Sequence, residues 1–360
     1  MLDFTASLYL GFRHARGSLR PWAQLTTGAP AALVALPGAA RVAEQLAQLQ
    51  GCEQTTLAKS TLHLAWDLFG MLAGKRVAIY LDSGAYVTLR WGVERAAARG
   101  MPVSCFRHND PQSLQRVLAQ AAHAHLPPIV VADGLCTRCG CHMPLGAYLA
   151  IVRKRGGLLI LDDTQALGLL GQAPSPQAPY GRGGGGSLRR SGETSANVLV
   201  ISSLAKGFGV PMAALSGSRA LIRYFEAQSQ TRVHCSPPSV AEIHAAEHAL
   251  QINQEQGDRL RLQLAQSVCT FRQRLGVAGF SATGGLFPVQ TLKLPPEVDT
   301  RALHEQLLSQ GVRTVLRQDA RGKAHISFIL TARHRRDEIE HAVNVLMKAA
   351  QRSAEGAGQL

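Results

Sequence analysis

The 360-residue sequence predicts an α/β fold: a mostly parallel central sheet with helices on both faces, then a smaller α+β part at the C-terminal end. Three observations predict it. Short unbroken apolar runs, such as Ile129-Val130-Val131-Ala132, Leu158-Leu159-Ile160-Leu161 and Val198-Leu199-Val200-Ile201, read as strands buried on both faces. Stretches with helical apolar spacing stand between these runs, and strand–helix alternation is the pattern of a parallel sheet. After Pro237-Pro238 the character changes: a long helical stretch leads to segments that alternate apolar and polar residues.

Taken in order, residues 1–35 show little periodicity. Val42, Leu46 and Leu49 predict a helix over 39–50 that Gly51 ends, and Ser60-Thr61 can cap a helix over 62–72. A strand follows at 77–81, a helix at 89–99, a strand at 103–106 and a helix at 114–124, with Asn109 or Asp110 as its cap. Strand 128–132 ends at Asp133-Gly134, and helix 145–155 leads to strand 157–161, which ends at Asp162-Asp163. Residues 172–197 hold three prolines and the run Gly183 to Gly186, and are expected to be a flexible surface loop, a candidate lid. A strand at 198–201 precedes the turn around Lys206. A helix from Val240 to about Leu275, with Gly257 as a point of interruption, opens the last part. It is followed by strand 288–294, helix 300–309, strands 312–316 and 325–330, helix 335–350, and a frayed tail from Ser353. The expected division is an N-terminal segment 1–35, a large α/β domain 36–240, and a connecting helix with a small domain over 241–360.

The sequence contains no apolar run long enough to span a bilayer, and its start lacks the basic and apolar regions of a signal peptide, so a cytoplasmic protein is expected. Seven cysteines at irregular spacing argue for free thiols rather than a disulfide framework. The net charge of +14 favours anionic partners, but aromatics are only 5% and no basic run is interleaved with them, so nucleic acid is not expected. Anionic small molecules or an acidic carrier protein fit this charge, as does a solvated basic surface without a partner. Cys136-Thr137-Arg138-Cys139-Gly140-Cys141-His142 has the look of a metal knuckle but lacks a second ligand pair at zinc spacing, so no metal is assigned.

The chemistry centres on Ser203-Leu204-Ala205-Lys206-Gly207-Phe208-Gly209, directly after a buried strand. An ammonium there is exposed, paired or chemically used. Desolvation lowers a lysine's pKa and makes it a nucleophile for an aldehyde, giving a Schiff base. Gly207 and Gly209 let the backbone turn sharply. Asp162 stands 44 residues earlier, at the end of another buried strand. There it is either a turn or cap residue or the partner of a cation such as a protonated pyridine nitrogen. Right-handed crossovers put Asp133, Asp162 and Lys206 together past the carboxyl ends of parallel strands.

These motifs resemble the α-oxoamine synthases, pyridoxal-phosphate (PLP) enzymes of aminotransferase fold type I. The family includes 8-amino-7-oxononanoate synthase, glycine C-acetyltransferase, 5-aminolevulinate synthase and serine palmitoyltransferase. The resemblance runs over nearly the whole chain: Phe4 to Gly11, Asp133 to Thr137, Asp162 to Gly168, Ser203 to Gly209, and Leu330-Thr331-Ala332 with His334. It implies PLP as cofactor, held by Lys206, with Asp162 on the pyridinium and Thr137 and Gln165 near the phenolic oxygen. Ser203 and the positions Thr61 and Leu62 would take the phosphate, and Ser236 would reach the phosphate of a neighbouring subunit in a homodimer. The implied reaction condenses an amino acid with an acyl thioester, carried on coenzyme A or an acyl carrier protein, with decarboxylation.

Three departures bear on that reading. Gln165 replaces the family's histidine and cannot titrate. The histidine that stacks on the ring is replaced by Ser83, or by Tyr86 if the loop shifts. Ser327 stands where the family has an arginine for the amino-acid carboxylate, leaving Arg317 as the candidate clamp; a bidentate clamp is not conservatively replaced. Transamination, other α-carbon chemistry and a non-catalytic subunit are the alternatives these departures raise.

Overall fold

A computed structural model describes residues 1–14, 24–193, 197–319 and 322–357. In chain order the elements are β1 (Leu2–Asp3), α1 (Ala39–Gln50), β2 (Gln54–Ala58), α2 (Thr61–Leu72), β3 (Ala78–Asp82), α3 (Val87–Ala97), β4 (Val103–Phe106) and α4 (Pro111–Gln120). Then come β5 (Pro128–Asp133), α5 (Leu145–Lys154), β6 (Leu158–Asp162), α6 (Gly186–Ser191), β7 (Val198–Ser203), β8 (Ala213–Gly217), α7 (Arg219–Gln228) and α8 (Gln230–His234). The last are α9 (Val240–Val277), β9 (Ser281–Thr283), β10 (Val289–Lys293), α10 (Thr300–Ser309), β11 (Val312–Arg313), β12 (Val315–Gln318), β13 (Ala324–Ile329) and α11 (Arg336–Ala357).

The chain forms two units. The larger takes residues 12–136 and 142–258; the smaller takes 1–11, 137–141 and 259–360. The boundary therefore falls inside α9 rather than at residue 240, and the first eleven residues belong with the C-terminal part because β1 pairs in parallel with β11.

The larger unit is built on a seven-stranded sheet of order β2-β8-β7-β6-β5-β3-β4. Strands β7, β6, β5, β3 and β4 are parallel; β8 runs antiparallel between β7 and β2. Its strands show why unbroken apolar runs are needed. Ile79, Leu81, Ile129, Val131, Ile160, Leu199 and Ile201 pack on one face with α2, α3 and α7. Ala78, Tyr80, Val130, Ala132, Leu159, Leu161, Val198 and Val200 pack on the other with α4, α5 and Leu188 of α6. Each large side chain so buried contributes about 1.5–3 kcal/mol.

Helix ends follow the sequence signals. Gly51 closes α1 in the left-handed region, Ser60 caps α2 by accepting the His63 amide, and Asp110, the second of the two candidates, caps α4 by accepting the Ser113 amide. Four strands had no sequence expectation, β1, β2, β8 and β9. Segment 172–193 is not the expected flexible loop; its backbone is paired. Gln172 and Arg182 exchange amide hydrogen bonds, Gly168 donates to Gly184 and Gly186 to Leu170, and Tyr180 is buried. Residues 194–196 of that segment lie outside the described residues. Nor does Gly257 break α9, which runs unbroken through it.

The smaller unit has a four-stranded antiparallel sheet of order β12-β13-β10-β9. The single strand expected over 312–316 is two, split at Thr314. The rings of Phe4 and His334 stack at 4.4 Å, and Ile329 donates its amide to Phe4. Helix α11 continues to Ala357, past the expected fraying point, and the last three residues lie outside the described ones. No helix among the described residues is long and apolar enough to cross a membrane.

Candidate active site

Register fixes the site. Asp133 ends β5 and lies opposite Asp162, which ends β6; Asp162 in turn lies opposite Ile201 of β7. The turn that carries Lys206 leaves β7 two residues further on, so Asp162 and Lys206 follow neighbouring parallel strands at the same sheet edge. Ala58 of β2 and Ser203 of β7 both lie opposite Ala213 of β8, which brings the start of α2 to that edge too. The edge thus gathers Thr61, Leu62, Ser203, Lys206, Asp162, Asp133 and Asp82.

Thr164 ties the two central turns together. Its amide donates to Asp162 Oδ1 at 2.9 Å, and its Oγ1 accepts the Ser203 amide at 3.1 Å. Ser203 Oγ accepts the Ala205 amide at 3.2 Å, which shapes the turn entering Lys206. Gly207 has a different reason from the sharp turn expected of it. A Cβ there would sit 2.4 Å from the Leu167 oxygen and 3.0 Å from Cα of Gly168, so glycine is required by backbone-to-backbone approach of the two turns. Gly209, at φ +68°, is the one that turns.

Electrostatics follow from burial. Desolvation lowers the Lys206 pKa, which enlarges its neutral, nucleophilic fraction. Asp162, 6% exposed, is pushed up by burial against hydrogen bonds from Thr164 that act the other way. Asp133, 7% exposed, is pushed up to about 8 by burial and by the Asp162 charge; its Oδ1 accepts the Tyr86 amide at 3.0 Å. Asp163 rises to about 6 for the same first reason, and its Oδ2 accepts the Ser187 amide. A buried carboxyl that burial drives towards neutrality is complemented by a cationic N–H, and a desolvated amine is matched to an aldehyde. In the first turn of α2, Ser60 Oγ takes the His63 amide, and the Thr61 and Leu62 amides are the donors a phosphate would meet. The residues present fit PLP.

The other expected residues fall as follows. Gln165 is half-buried, three positions past Asp162 in the Thr164 turn. Ser83 is exposed, and its carbonyl accepts the Arg90 guanidinium. Tyr86, at the N-cap of α3, is the aromatic of that segment tied to the Asp133–Asp162 edge. Ser236 is exposed between α8 and α9. In the smaller unit, Thr137 is half-buried, Arg317 lies on β12 opposite His325, and Ser327 is buried with its Oγ 2.8 Å from Thr291 Oγ1. Sequence reasoning missed Thr164, Asp133 as a hydrogen-bond acceptor, and the Asp82–His108 pair. The carboxylates at successive strand ends were the available signal.

A model of the aminotransferase class I and II family matches residues 24–346. The chain belongs to that family. Within it, the chain is 26% identical over 351 residues to an 8-amino-7-oxononanoate synthase of Chromohalobacter salexigens, covering 94% of this chain and 86% of that protein. Its fold is similar to serine palmitoyltransferase of Sphingomonas wittichii, with a TM-score of 0.84 and 18% identity, over 98% of this chain and 88% of that one. A high-resolution serine palmitoyltransferase structure containing PLP as its internal aldimine gives 0.82 and 16%, over 97% and 87%. The family membership bears out the type I transferase fold and the resemblance to the α-oxoamine synthases drawn from the motifs.

Proposed function

We propose that this chain is a PLP-dependent acyltransferase that condenses an amino acid with an acyl thioester and releases carbon dioxide, acting as a cytoplasmic homodimer. The observation that carries the reading is the placement of Asp162 and Lys206 past neighbouring parallel strands, in two turns joined through Thr164. When bound, the cofactor supplies an aldehyde for the amino group and an electron sink for the carbanion.

The residues divide the remaining work. Lys206 would hold the aldehyde and then take and return the proton at the substrate α-carbon, a task for which its lowered pKa suits it. Asp162, as an anion, would hold the ring nitrogen protonated. Ser203 Oγ and the Thr61 and Leu62 amides would hold the phosphate, and Gln165 would donate to the phenolic oxygen without titrating. Ser236 would serve the partner's phosphate. The basic surface, +14 overall, would draw in the phosphates of coenzyme A or an acidic carrier protein.

The test is thiol release from acyl-coenzyme A by the PLP-loaded protein across a panel of amino acids, without added keto acid. Amino-acid-dependent release supports condensation. Turnover only with a keto acid points to the second reading, transamination. That reading is favoured by Ser327, a buried hydroxyl paired with Thr291 where a carboxylate clamp would carry a guanidinium. Arg317, on the neighbouring strand β12, is the residue we assign to carboxylate binding in its stead.

A further inference from the structure

Two carboxyls end adjacent parallel strands in register, Asp133 on β5 and Asp162 on β6, and both are buried. Neither has an excess of donors: Asp133 accepts the Tyr86 amide, and Asp162 is bonded by Thr164. Burial raises both carboxyls, and in register on adjacent strands a charge on one disfavours a charge on the other. The groups facing Asp133 are the Asp162 carboxyl from β6, the Asp82 carboxyl from β3, the Cys136 thiol from its own loop and the Tyr86 amide from the start of α3. The first three disfavour a charge on it, and only the amide favours one.

We propose that Asp133 is a positioning residue that works as a neutral acid: it carries the proton of the Asp133–Asp162 pair, leaving Asp162 the anion, and through Oδ1 it fixes Tyr86 and the start of α3 at the rim of the site. This rests on reading Asp162 as the partner of a ring cation, which selects Asp162 as the ionised member. Fixing Tyr86 matters because its aromatic side chain, half exposed, is carried by the backbone atom Asp133 holds. Ionisation of Asp133 would put a second buried anion beside the first and compete for the same cation.

The test uses the purified full-length chain, with and without added PLP, and the variants Asp133→Asn and Asp133→Ala. Asn keeps an acceptor for the Tyr86 amide and cannot ionise; Ala removes both functions. A carboxyl raised in the folded state binds more protons there than in the unfolded chain. Its contribution to stability therefore falls as pH rises from the ordinary carboxylate range to about 8, and is level above. Thermal unfolding without PLP is expected to show Asp133→Asn gaining on the wild type across that window and keeping a constant lead above it. PLP absorbance is expected to decline above about pH 8 in the wild type but not in Asp133→Asn. Asp133→Ala is expected to bind PLP about tenfold more weakly, the effect of one lost hydrogen bond, with Asn restoring it. Parallel unfolding profiles for wild type and Asn, or wild-type PLP binding by Ala, would overturn the proposal. If no form takes up PLP, the functional reading fails, while the unfolding profiles still decide whether Asp133 holds the proton.

Discussion

Asp82 and Asp133 end neighbouring strands, β3 and β5, and are buried to a similar degree, yet they titrate in opposite directions. Burial pushes both up. Asp82 is nevertheless held below the usual carboxylate range, because it accepts from His108 Nδ1 at 2.7 Å, the Gly84 amide at 2.6 Å and the Asn109 amide at 3.0 Å. Asp133 accepts one amide and has Asp162 beside it, and rises to about 8. Donors and neighbouring charges, not depth, decide which buried acid stays charged. Asp82 is a structural anion that fixes the loop before α4, where Asn109 sits at φ +53°. Asp133 and Asp162 lie at the sheet edge where the PLP site is proposed.

The largest effect that would sharpen this contrast is on Asp162. Asp162→Asn is expected to lower turnover by about 10²–10³-fold, the usual cost of one preorganised electrostatic contact, with the fold intact. It also removes the neighbouring charge that raises Asp133, so the step near pH 8 should move down in a pH–unfolding profile. Asp82→Ala comes next and acts on stability. It strands three donors and is expected to cost about 3 kcal/mol in denaturant unfolding, with little change in PLP affinity for folded protein. The same contact sets an acid limb. A carboxyl lowered in the folded state stabilises at pH above its unfolded value, and that contribution is lost as pH falls through its folded value. His108→Ala removes one of the three donors. It is expected to cost about 1 kcal/mol and to move that acid limb to higher pH, read by the same unfolding series. Equal effects of Asp82→Ala and Asp162→Asn on turnover would break the contrast.

What was legible in the sequence follows from local physics. Unbroken apolar runs marked β3, β5, β6 and β7, and cap residues Ser60 and Asp110 marked helix starts, because a side-chain oxygen three residues from an open amide is a local signal. Lys206 and Asp162 could be placed at one edge because parallel connectivity forces it. Strand β8, Ala213–Gly217, was silent because its small residues lack β propensity; it is a strand because β7 and β2 both pair with it. Segment 172–193 misled because glycine and proline report flexibility of the isolated chain. Here the glycines admit close backbone pairing, as at Gly181, where a Cβ would meet the Gly171 carbonyl. The roles of Thr164 and Gly207 depend on two turns meeting, which no local pattern encodes. Of the departures, Gln165 was visible in the motif, whereas the hydrogen bond from the Tyr86 amide to Asp133 joins two distant segments and was not.

The central claim is that one amine on this edge captures the aldehyde of PLP. Incubation with PLP, reduction with borohydride, and peptide mapping by mass spectrometry test it directly. One pyridoxyl label per chain is expected, on the peptide carrying Lys206, and none in Lys206→Ala. A label on another lysine, or an unlabelled wild type, would contradict it.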